Sequence, residues 1–290
     1  MKSLDDAVEE MAVRGKVAKD LISQQKPELL DLFLTYQNEA IEARKFLNES
    51  LAKLNKQAEI LEVGGGILAL SIQLASEGFH VTTVEPVGEG FSGISYIMEI
   101  FLEISRSENL QIDLIKHPIE ESELKGEFDF IFSINVLEHL RNPYSVLIQL
   151  VGNLGKNGTC RIFCPNYDFP YEPHFQKWMY QRKDGAFYLP LSKARSNMIE
   201  VSEWCGVHSS LNFITLRKLE RFLTQNNILY SVNKRALQNM VYRTVTDHEL
   251  KNRHKLLANT IGVLLTLRLV GLLCFLPKRS WPIIDIELSN

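Results

Sequence analysis

The chain has 290 residues, of which 45% are hydrophobic and 23% are charged, and its formal net charge is −3. This composition predicts a globular protein with a sizeable core, and it offers no basic tract that would wrap nucleic acid. The four cysteines show no CxxC spacing, so neither a zinc site nor a disulfide framework is predicted. The acidic start lacks the apolar stretch of a secretory signal, which predicts a cytoplasmic protein.

Residues 4–56 are predicted to form two helices. The break falls at Lys26-Pro27, because proline disfavours helix in the residue before it. Apolar residues recur with helical spacing in both halves. These helices could pack simply on the core, or they could cover a sheet edge or a pocket.

From Ala58 onwards, short apolar strands alternate with helices. The predicted strands are 59–63, 80–85, 111–116, 128–134, 159–165, 228–235 and 283–288. The predicted helices between them include 68–77, 91–106 and 144–151. This alternation implies right-handed crossovers and a parallel sheet covered on both faces. We therefore predict a doubly wound, mostly parallel, seven-stranded α/β fold, whose ligand lies beyond the carboxyl ends of the strands.

The predicted organisation has three parts. Residues 1–57 form an N-terminal helical extension, and residues 58–235 form the ligand-binding core. Residues 236–290 contain a helical insertion and the final strand.

The segment LEVGGGILAL, residues 61–70, places three glycines between a predicted strand and a predicted helix. Glycines permit a tight bend and a close approach of ligand to backbone, while the helix offers free N–H groups. Gly64-x-Gly66-x-x-Ala69 matches the dinucleotide fingerprint. Glu85 follows at the end of the next strand, where a carboxylate can accept hydrogen bonds from ribose hydroxyls. The ligand is therefore predicted to contain adenosine, and the lack of Gly-Lys-Ser/Thr excludes a P-loop.

Two features distinguish the possible adenosine ligands. Glu62, two residues before the first glycine, is an unfavourable neighbour for a pyrophosphate, but it suits a ligand with an ammonium and a sulfonium. The segment FDFIFSINVLEHL, residues 128–140, ends a predicted strand with the polar Asn135. Together with LEVGGG, with VEP at 84–86 and with LGKNGTCRIFCPN at 154–166, it resembles the ordered motifs of class I S-adenosylmethionine-dependent methyltransferases.

This resemblance covers residues 58–166 and departs from the common G-x-G-x-G pattern at Leu68, where the third glycine would stand. It implies S-adenosylmethionine as the cofactor. The cofactor-binding residues that it implies are Glu62, Gly64, Gly66, Glu85, Ile119, Glu120 and Asn135. Glu62, Gly64 and Gly66 would line the methionine end, and Glu85 would bind the ribose. Ile119 and Glu120 would border the adenine, and Asn135 would position the methyl donor through its backbone.

The loop CPNYDFPYEPHFQKWMY, residues 164–180, is dense in aromatic residues and prolines. Loops at the carboxyl end of a parallel sheet border the ligand crevice, so this loop is predicted to wall the acceptor pocket. It resembles a PNYxFPYEPHF signature in uncharacterised bacterial methyltransferases. An oxygen or nitrogen acceptor needs a base near neutral pH, for which histidine is the natural choice.

The candidates for the acceptor side follow from these positions. The catalytic candidates are His174, within the aromatic loop, and His139, after the fourth strand. The substrate-binding candidates are Asn166, Tyr167, Tyr171 and Glu172. Asn166 and Tyr171 could instead brace the loop, and His139 could bond to backbone at a helix start.

The segment IGVLLTLRLVGLLCFL, residues 261–276, is too short to span a membrane, which takes ~20 apolar residues. Its central Arg268 adds at least ~2.5 kcal/mol to the cost of insertion. It is either a buried core helix or an interfacial helix with basic flanks. Residues 236–282 would form an insertion that emerges from the sheet at the carboxyl end of the sixth strand, which is the ligand side. This position is compatible with a lipid-like acceptor and with a peripheral contact at the inner face of the membrane.

The sequence thus predicts methyl transfer from S-adenosylmethionine to oxygen or nitrogen, rather than carbon, of a small-molecule or lipid-like acceptor. Two alternatives stay open. One is an NAD(P)-dependent oxidoreductase that uses the turn between Gly64 and Ala69. The other is a non-catalytic protein that binds S-adenosylmethionine.

Overall fold

The computed structural model describes residues 2–86, 92–173, 177–181, 187–188, 211–246, 262, 266 and 269–290. The chain divides into two compact units. The first unit comprises Met1–Val136, Asn142–Arg161 and Ser289–Asn290, and the second comprises Leu137–Arg141 and Ile162–Leu288. The glycine turn therefore lies in the first unit, and the aromatic loop lies in the second.

The central element of the fold is a seven-stranded sheet. Its strands are β1 (Glu59–Val63), β2 (His80–Val84), β3 (Asp113–Ile115), β4 (Phe128–Ile134), β5 (Leu154–Pro165), β6 (Leu229–Val232) and β7 (Ile283–Ser289). Their spatial order is β6-β7-β5-β4-β1-β2-β3. Strand β1 pairs in parallel with β2 and with β4, and β2 pairs in parallel with β3. The order of connection reverses between β1 and β4, and ligands bind at such a switch point.

The doubly wound, mostly parallel α/β fold predicted from the sequence is confirmed. The largest difference in bounds is at β5, which begins at Leu154 instead of 159. Asn157 and Gly158 were expected to form a turn before this strand, and Asn157 does have a left-handed backbone (φ +74°). A Cβ on Gly158 would lie 3.1 Å from the backbone N and O of Gly155, so the chain does turn here, and the bounds of β5 include this turn.

The described part of the first unit contains five α-helices. They are α1 (Leu4–Gln25), α2 (Leu30–Leu51), α3 (Ala69–Ser76), α4 (Ser92–Ser107) and α5 (Pro143–Gly152). Helix α1 begins at a capping box, in which Ser3 and Asp6 exchange side-chain and backbone hydrogen bonds. It ends before Pro27, as predicted, and a short 3-10 turn leads into α2.

One buried ion pair and further polar contacts attach α1 and α2 to the rest of the first unit. The guanidinium of Arg44 in α2 donates two hydrogen bonds of 2.8 Å to the carboxylate of Glu77, at the end of α3. Both side chains are fully buried. Arg14 in α1 donates to Glu108 and to Gln73. These contacts fix α1 and α2 firmly against α3 and α4.

The second unit contains α6 (Leu216–Gln225) and α7 (Ala236–Thr246). Two short antiparallel strand pairs follow the end of β5: Tyr171–Glu172 with Lys177–Trp178, and Tyr180–Gln181 with Phe187–Tyr188. Thr215 caps the start of helix α6, since its side chain accepts from the backbone of Lys218.

The apolar segment 261–276 is only partly described. Its described end is a 3-10 turn, Leu269–Phe275, in which Val270 is buried. Leu272 and Phe275 are 59% and 81% exposed, which disagrees with a fully buried core helix. Among the described residues, no helix is long and apolar enough to cross a bilayer.

Candidate cofactor and acceptor site

The turn after β1 requires glycine for steric reasons. Gly64 (φ +87°) and Gly66 (φ +53°) both have left-handed backbones. A Cβ atom on Gly64 would lie 2.1 Å from Cγ2 of Val136, and one on Gly65 would lie 2.3 Å from Cγ2 of Thr83. Side chains are therefore excluded here, which lets a ligand approach the backbone closely. The N–H of Gly64 donates to the carbonyl of Val84 over 2.8 Å, and the N–H of Gly66 donates to the carboxylate of Glu85.

Leu68, at the third glycine position of the family pattern, also has a left-handed backbone (φ +66°). This conformation costs an L-residue roughly 1–2 kcal/mol. The side chain is fully buried in the cluster that contains Ile67, Ile72 and Phe101. Burial of a leucine stabilises by about 1.5–3 kcal/mol, which offsets the backbone strain and explains why leucine is compatible with this position.

Glu85, after β2, lies against the glycine turn. Its Oε2 atom accepts a hydrogen bond of 2.8 Å from the backbone N–H of Gly66. Burial raises the pKa of Glu85 to about 7, although the bond from Gly66 acts in the opposite direction. The structure thus brings together Glu85 and Gly66, as the predicted site requires.

Glu62, on β1, is a second carboxylate at this turn, and it is buried. Its Oε2 atom accepts a hydrogen bond from the hydroxyl of Ser71, which lies 2.7 Å from the hydroxyl of Thr83. The pKa of Glu62 is raised to about 8, chiefly by burial; the Ser71 bond lowers it, and the negative charge of Glu85 raises it. A cationic ligand would relieve this unfavourable arrangement of two acids.

The raised pKa of Glu62 predicts how stability depends on pH without ligand. The proton of Glu62 is held more tightly in the folded chain than in the unfolded chain. The stabilisation that this proton gives to the folded chain is complete below about pH 4.5 and is lost as the pH rises towards about 8. Glu85 contributes in the same direction up to about pH 7. The free energy of unfolding should therefore fall over this range by up to about 1.4 kcal/mol per pH unit for each group. The melting temperature should fall with it.

Thermal unfolding at a series of pH values tests this prediction. Glu62→Gln should flatten the profile, because glutamine does not titrate. Glu99→Gln, at an exposed acid of the same unit that pairs with Lys116, should leave it unchanged. An identical profile for wild type and Glu62→Gln would contradict the prediction.

Three further residues lie at this turn and were not predicted from the sequence: Ser71, Thr83 and Tyr36. Tyr36, on α2, lies over Gly66, since a Cβ there would be 3.1 Å from the ring atom Cδ1. Tyr36 has the spacing of a core residue of the helix, so the apolar pattern alone gave no functional signal. The hydroxyls of Ser71 and Thr83 are fully buried beside Glu62.

The remaining predicted cofactor residues also lie in the first unit. Asn135 is exposed at the end of β4 and has a left-handed backbone (φ +56°), a conformation that asparagine tolerates well. Ile119 is buried and Glu120 half-buried in a 3-10 turn after β3. Their roles at the adenine and at the methyl donor stay predictions.

In the second unit, Tyr167 and Glu172 are buried together. The hydroxyl of Tyr167 donates to Oε1 of Glu172 over 3.1 Å, and its ring packs edge-on against Phe213. Burial, then the charges of Glu172 and Glu138, raise the pKa of Tyr167 above its ordinary value. Tyr167 is therefore a neutral hydrogen-bond donor and is poorly suited to act as a base.

Asn166 braces the loop through its side-chain amide. Its Nδ2 donates to the carbonyl of Trp281 over 2.8 Å and to that of Lys278 over 3.3 Å. Its Oδ1 accepts from the backbone of Leu216 over 3.0 Å and of Asp168 over 3.2 Å. The bracing alternative thus accounts for every polar atom of this amide. Substrate contact through Asn166 would have to compete with these bonds.

His139 is half-buried in a 3-10 turn, and its Nε2 lies 4.0 Å from Oε1 of the buried Glu138. Asn212 secures this turn by donating to the carbonyls of Leu137 and Leu140, over 2.7 and 2.9 Å. Glu138, the neighbour of His139, is one of the two acids whose charges act on Tyr167; the other is Glu172.

Two other acceptor candidates are less fully described. Tyr171 is half-buried beside Glu172 on the first short strand, and burial followed by the charge of Glu172 raises the pKa of Tyr171. The remaining candidate, His174, lies outside the described residues.

The fold and the glycine turn define a Rossmann-like methyltransferase architecture. The model of the protein family described as "Methyltransferase domain" matches residues 35–201, more than half of the chain. The chain therefore belongs to this methyltransferase family. The predicted class, the S-adenosylmethionine-dependent methyltransferases, is confirmed. The family match gives no support to the oxidoreductase alternative.

Similar proteins agree with this assignment. An uncharacterised protein of Mycobacterium tuberculosis (strain ATCC 25618 / H37Rv) is 35% identical over 254 residues, which cover 87% of this chain and 85% of that protein. The ubiquinone biosynthesis O-methyltransferase of Rickettsia akari is 30% identical over 115 residues, covering 40% of this chain and 41% of that protein. The plantazolicin methyltransferase BpumL, solved with S-adenosylhomocysteine, shares the fold with a TM-score of 0.50, at 16% identity and 99% coverage of both chains.

Proposed function

We propose that the chain transfers a methyl group from S-adenosylmethionine to oxygen or nitrogen of a small-molecule or lipid-like acceptor. The observation that supports cofactor binding is a pair of acids, the buried Glu62 and the half-buried Glu85, at a turn whose glycines leave no side chain between a ligand and the backbone. A ligand that carries an ammonium and a sulfonium would place positive charge beside these two acids.

The individual roles follow from the chemistry of each group. Glu85 would accept from the ribose hydroxyls, and Glu62 would face the ammonium. Gly64 and Gly66 would allow the methionine end to approach the backbone. The cofactor supplies an electrophilic methyl group on sulfur, and methyl transfer is an in-line displacement in which alignment accounts for much of the rate.

Glu85→Ala is expected to weaken binding of S-adenosylmethionine by about tenfold or more, since a hydrogen bond to a charged group contributes about 1.5–3 kcal/mol. Isothermal titration with S-adenosylmethionine measures this directly. Glu99→Ala provides the matched control, because Glu99 is an exposed acid of the same unit that bonds only to Lys116 among the described residues. Unchanged affinity in Glu85→Ala would remove Glu85 from the ribose site.

Turnover separates an enzyme from a non-catalytic binding protein. Release of S-adenosylhomocysteine in an extract of candidate acceptors would support catalysis, whereas binding without any release would favour the binding protein. Untargeted metabolite and lipid profiling of a deletion strain would then identify the acceptor by the mass of one methyl group.

A lipid-like acceptor is supported by the exposed apolar turn at Leu269–Phe275. Leu272, Phe275 and Leu276 are all exposed, and exposed apolar groups of this size often mark an interaction surface. The next residues are Lys278 and Arg279, although Lys278 forms an ion pair with Glu220. An anionic membrane surface suits this combination of apolar and basic groups.

The purified protein is accordingly expected to sediment with anionic liposomes, since each well-placed Lys or Arg adds about 1 kcal/mol. High salt should weaken this binding by screening the charges. Phe275→Glu should reduce it strongly, while Leu229→Glu, at another exposed leucine of the second unit, should have little effect. Protein that stays in the supernatant under all conditions would exclude a membrane-delivered acceptor through this turn.

A further inference from the structure

Helix α2 extends over the glycine turn through one side chain, Tyr36. A Cβ on Gly66 would lie 3.1 Å from Cδ1 and 3.2 Å from Cε1 of this ring. Gly66 is the residue whose N–H donates to Glu85. The Tyr36 ring therefore lies directly against the backbone that the cofactor must approach.

The hydroxyl of Tyr36 is available to a ligand. Its residue is only partly exposed, yet the hydroxyl makes no hydrogen bond to any part of the chain that the structure describes. A tyrosine in such surroundings normally has a hydrogen-bond partner. An aromatic ring fixed at a ligand-binding turn, with its polar end uncommitted, is the arrangement expected of a residue that contacts the ligand.

The position of Tyr36 is set by rigid contacts elsewhere in α2. Arg44, about 12 Å further along the helix axis, forms the fully buried ion pair with Glu77. Towards the N-terminus of α2, Leu32 lies close to Gly93 of α4, where a Cβ would be 3.0 Å from Cδ2 of Leu32. The helix is thus held on both sides of Tyr36, which leaves the ring little freedom to move away from the turn.

The chemistry of the proposed cofactor leaves one charged group without a partner. Glu62 and Glu85 suit its ammonium, its sulfonium and its ribose hydroxyls, but they repel the carboxylate of its methionine part. That carboxylate needs hydrogen-bond donors, and a neutral hydroxyl is a suitable one. We propose that Tyr36 is a cofactor-binding residue whose hydroxyl donates to the methionine carboxylate.

The proposal rests on the proposed function and extends the cofactor site to the N-terminal helices. Burial, followed by the negative charges of Glu39 and Glu85, raises the pKa of Tyr36 above its ordinary value. The hydroxyl therefore keeps its proton at any physiological pH and remains a donor. The helices before residue 58 are then part of the active site and not only a cover for the core.

Isothermal titration of two ligands with wild type and Tyr36→Phe tests this inference. Phenylalanine keeps the ring packing and removes only the hydroxyl. Binding of S-adenosylhomocysteine, which has the carboxylate, should weaken about tenfold or more, as expected for a lost bond to a charged group. Binding of 5′-methylthioadenosine, which lacks the amino-acid part, should not change.

Tyr96→Phe is the matched control. Its hydroxyl donates to Gln25 over 2.6 Å on the exposed side of α4, and its loss should alter the affinity for neither ligand. Equal weakening of both ligands by Tyr36→Phe, or no weakening at all, would overturn the assignment to the carboxylate. If wild type binds neither ligand, the proposed function itself fails, and the two failures are thereby distinguished.

Discussion

Replacing Arg44 by methionine is expected to lower the free energy of unfolding by about 3–5 kcal/mol, because it leaves Glu77 as a buried acid without its cation. Both side chains are fully buried, and two hydrogen bonds of 2.8 Å join them. At about 2–4 °C per kcal/mol for a chain of this size, the melting temperature should fall by roughly 6–20 °C. Thermal unfolding followed by circular dichroism measures this change.

Two further variants separate loss of the ion pair from loss of any charge on α2. Lys45→Met removes the neighbouring exposed charge, which pairs with Glu42, and should cost at most about 1 kcal/mol. The double variant Arg44→Met with Glu77→Met removes both buried charges and should recover much of the lost stability. A double variant no more stable than Arg44→Met alone would mean that shape, and not charge, dominates at this contact.

The second large effect is expected at the catalytic base. His174→Ala should lower methyl transfer about 100-fold or more while affinity for S-adenosylhomocysteine stays nearly unchanged, since a general base contributes about 10²–10⁴-fold. His139→Ala is the competing assignment, because His139 Nε2 lies 4.0 Å from the buried Glu138. The measurement is the rate of product formation with the acceptor found by profiling.

The two histidine variants together decide the assignment. Loss of activity in His139→Ala, with activity kept in His174→Ala, would move the base to the turn after β4. Full activity in both would mean that alignment alone drives the reaction. His80→Ala is the control, since His80 is exposed at the start of β2 and pairs with Glu59; its loss should change neither rate nor affinity.

The order of secondary structure could be predicted because it depends on local patterns. Pro27 ended the first helix, and the alternation of apolar strands and helices gave the sheet. The pairing of a glycine turn with Glu85 could also be predicted. Two neighbouring parallel strands end at the same edge of a sheet, and the bond between Gly66 and Glu85 follows from that geometry.

The tertiary structure added contacts that sequence spacing does not encode. Tyr36 looks like an ordinary core residue of an amphipathic helix, and only packing places it over Gly66, thirty positions later in the chain. The same holds for Asn166, whose amide is taken up by the backbone at Trp281 and Leu216. In a single sequence, an apolar period shows which face of an element is buried, but not which residue it meets there.

The sequence by itself therefore determined the fold class and the positions of the glycine turn and of the acids Glu62 and Glu85, because strand period and glycine sterics act over a few neighbouring residues. Its resemblance to methyltransferases gave the class of protein. Only the tertiary structure decided that Tyr36 joins this turn, that Arg44 and Glu77 form a buried pair, and that Phe275 is exposed. Those outcomes depend on how distant segments pack, and packing is settled by the shape and volume of the whole core.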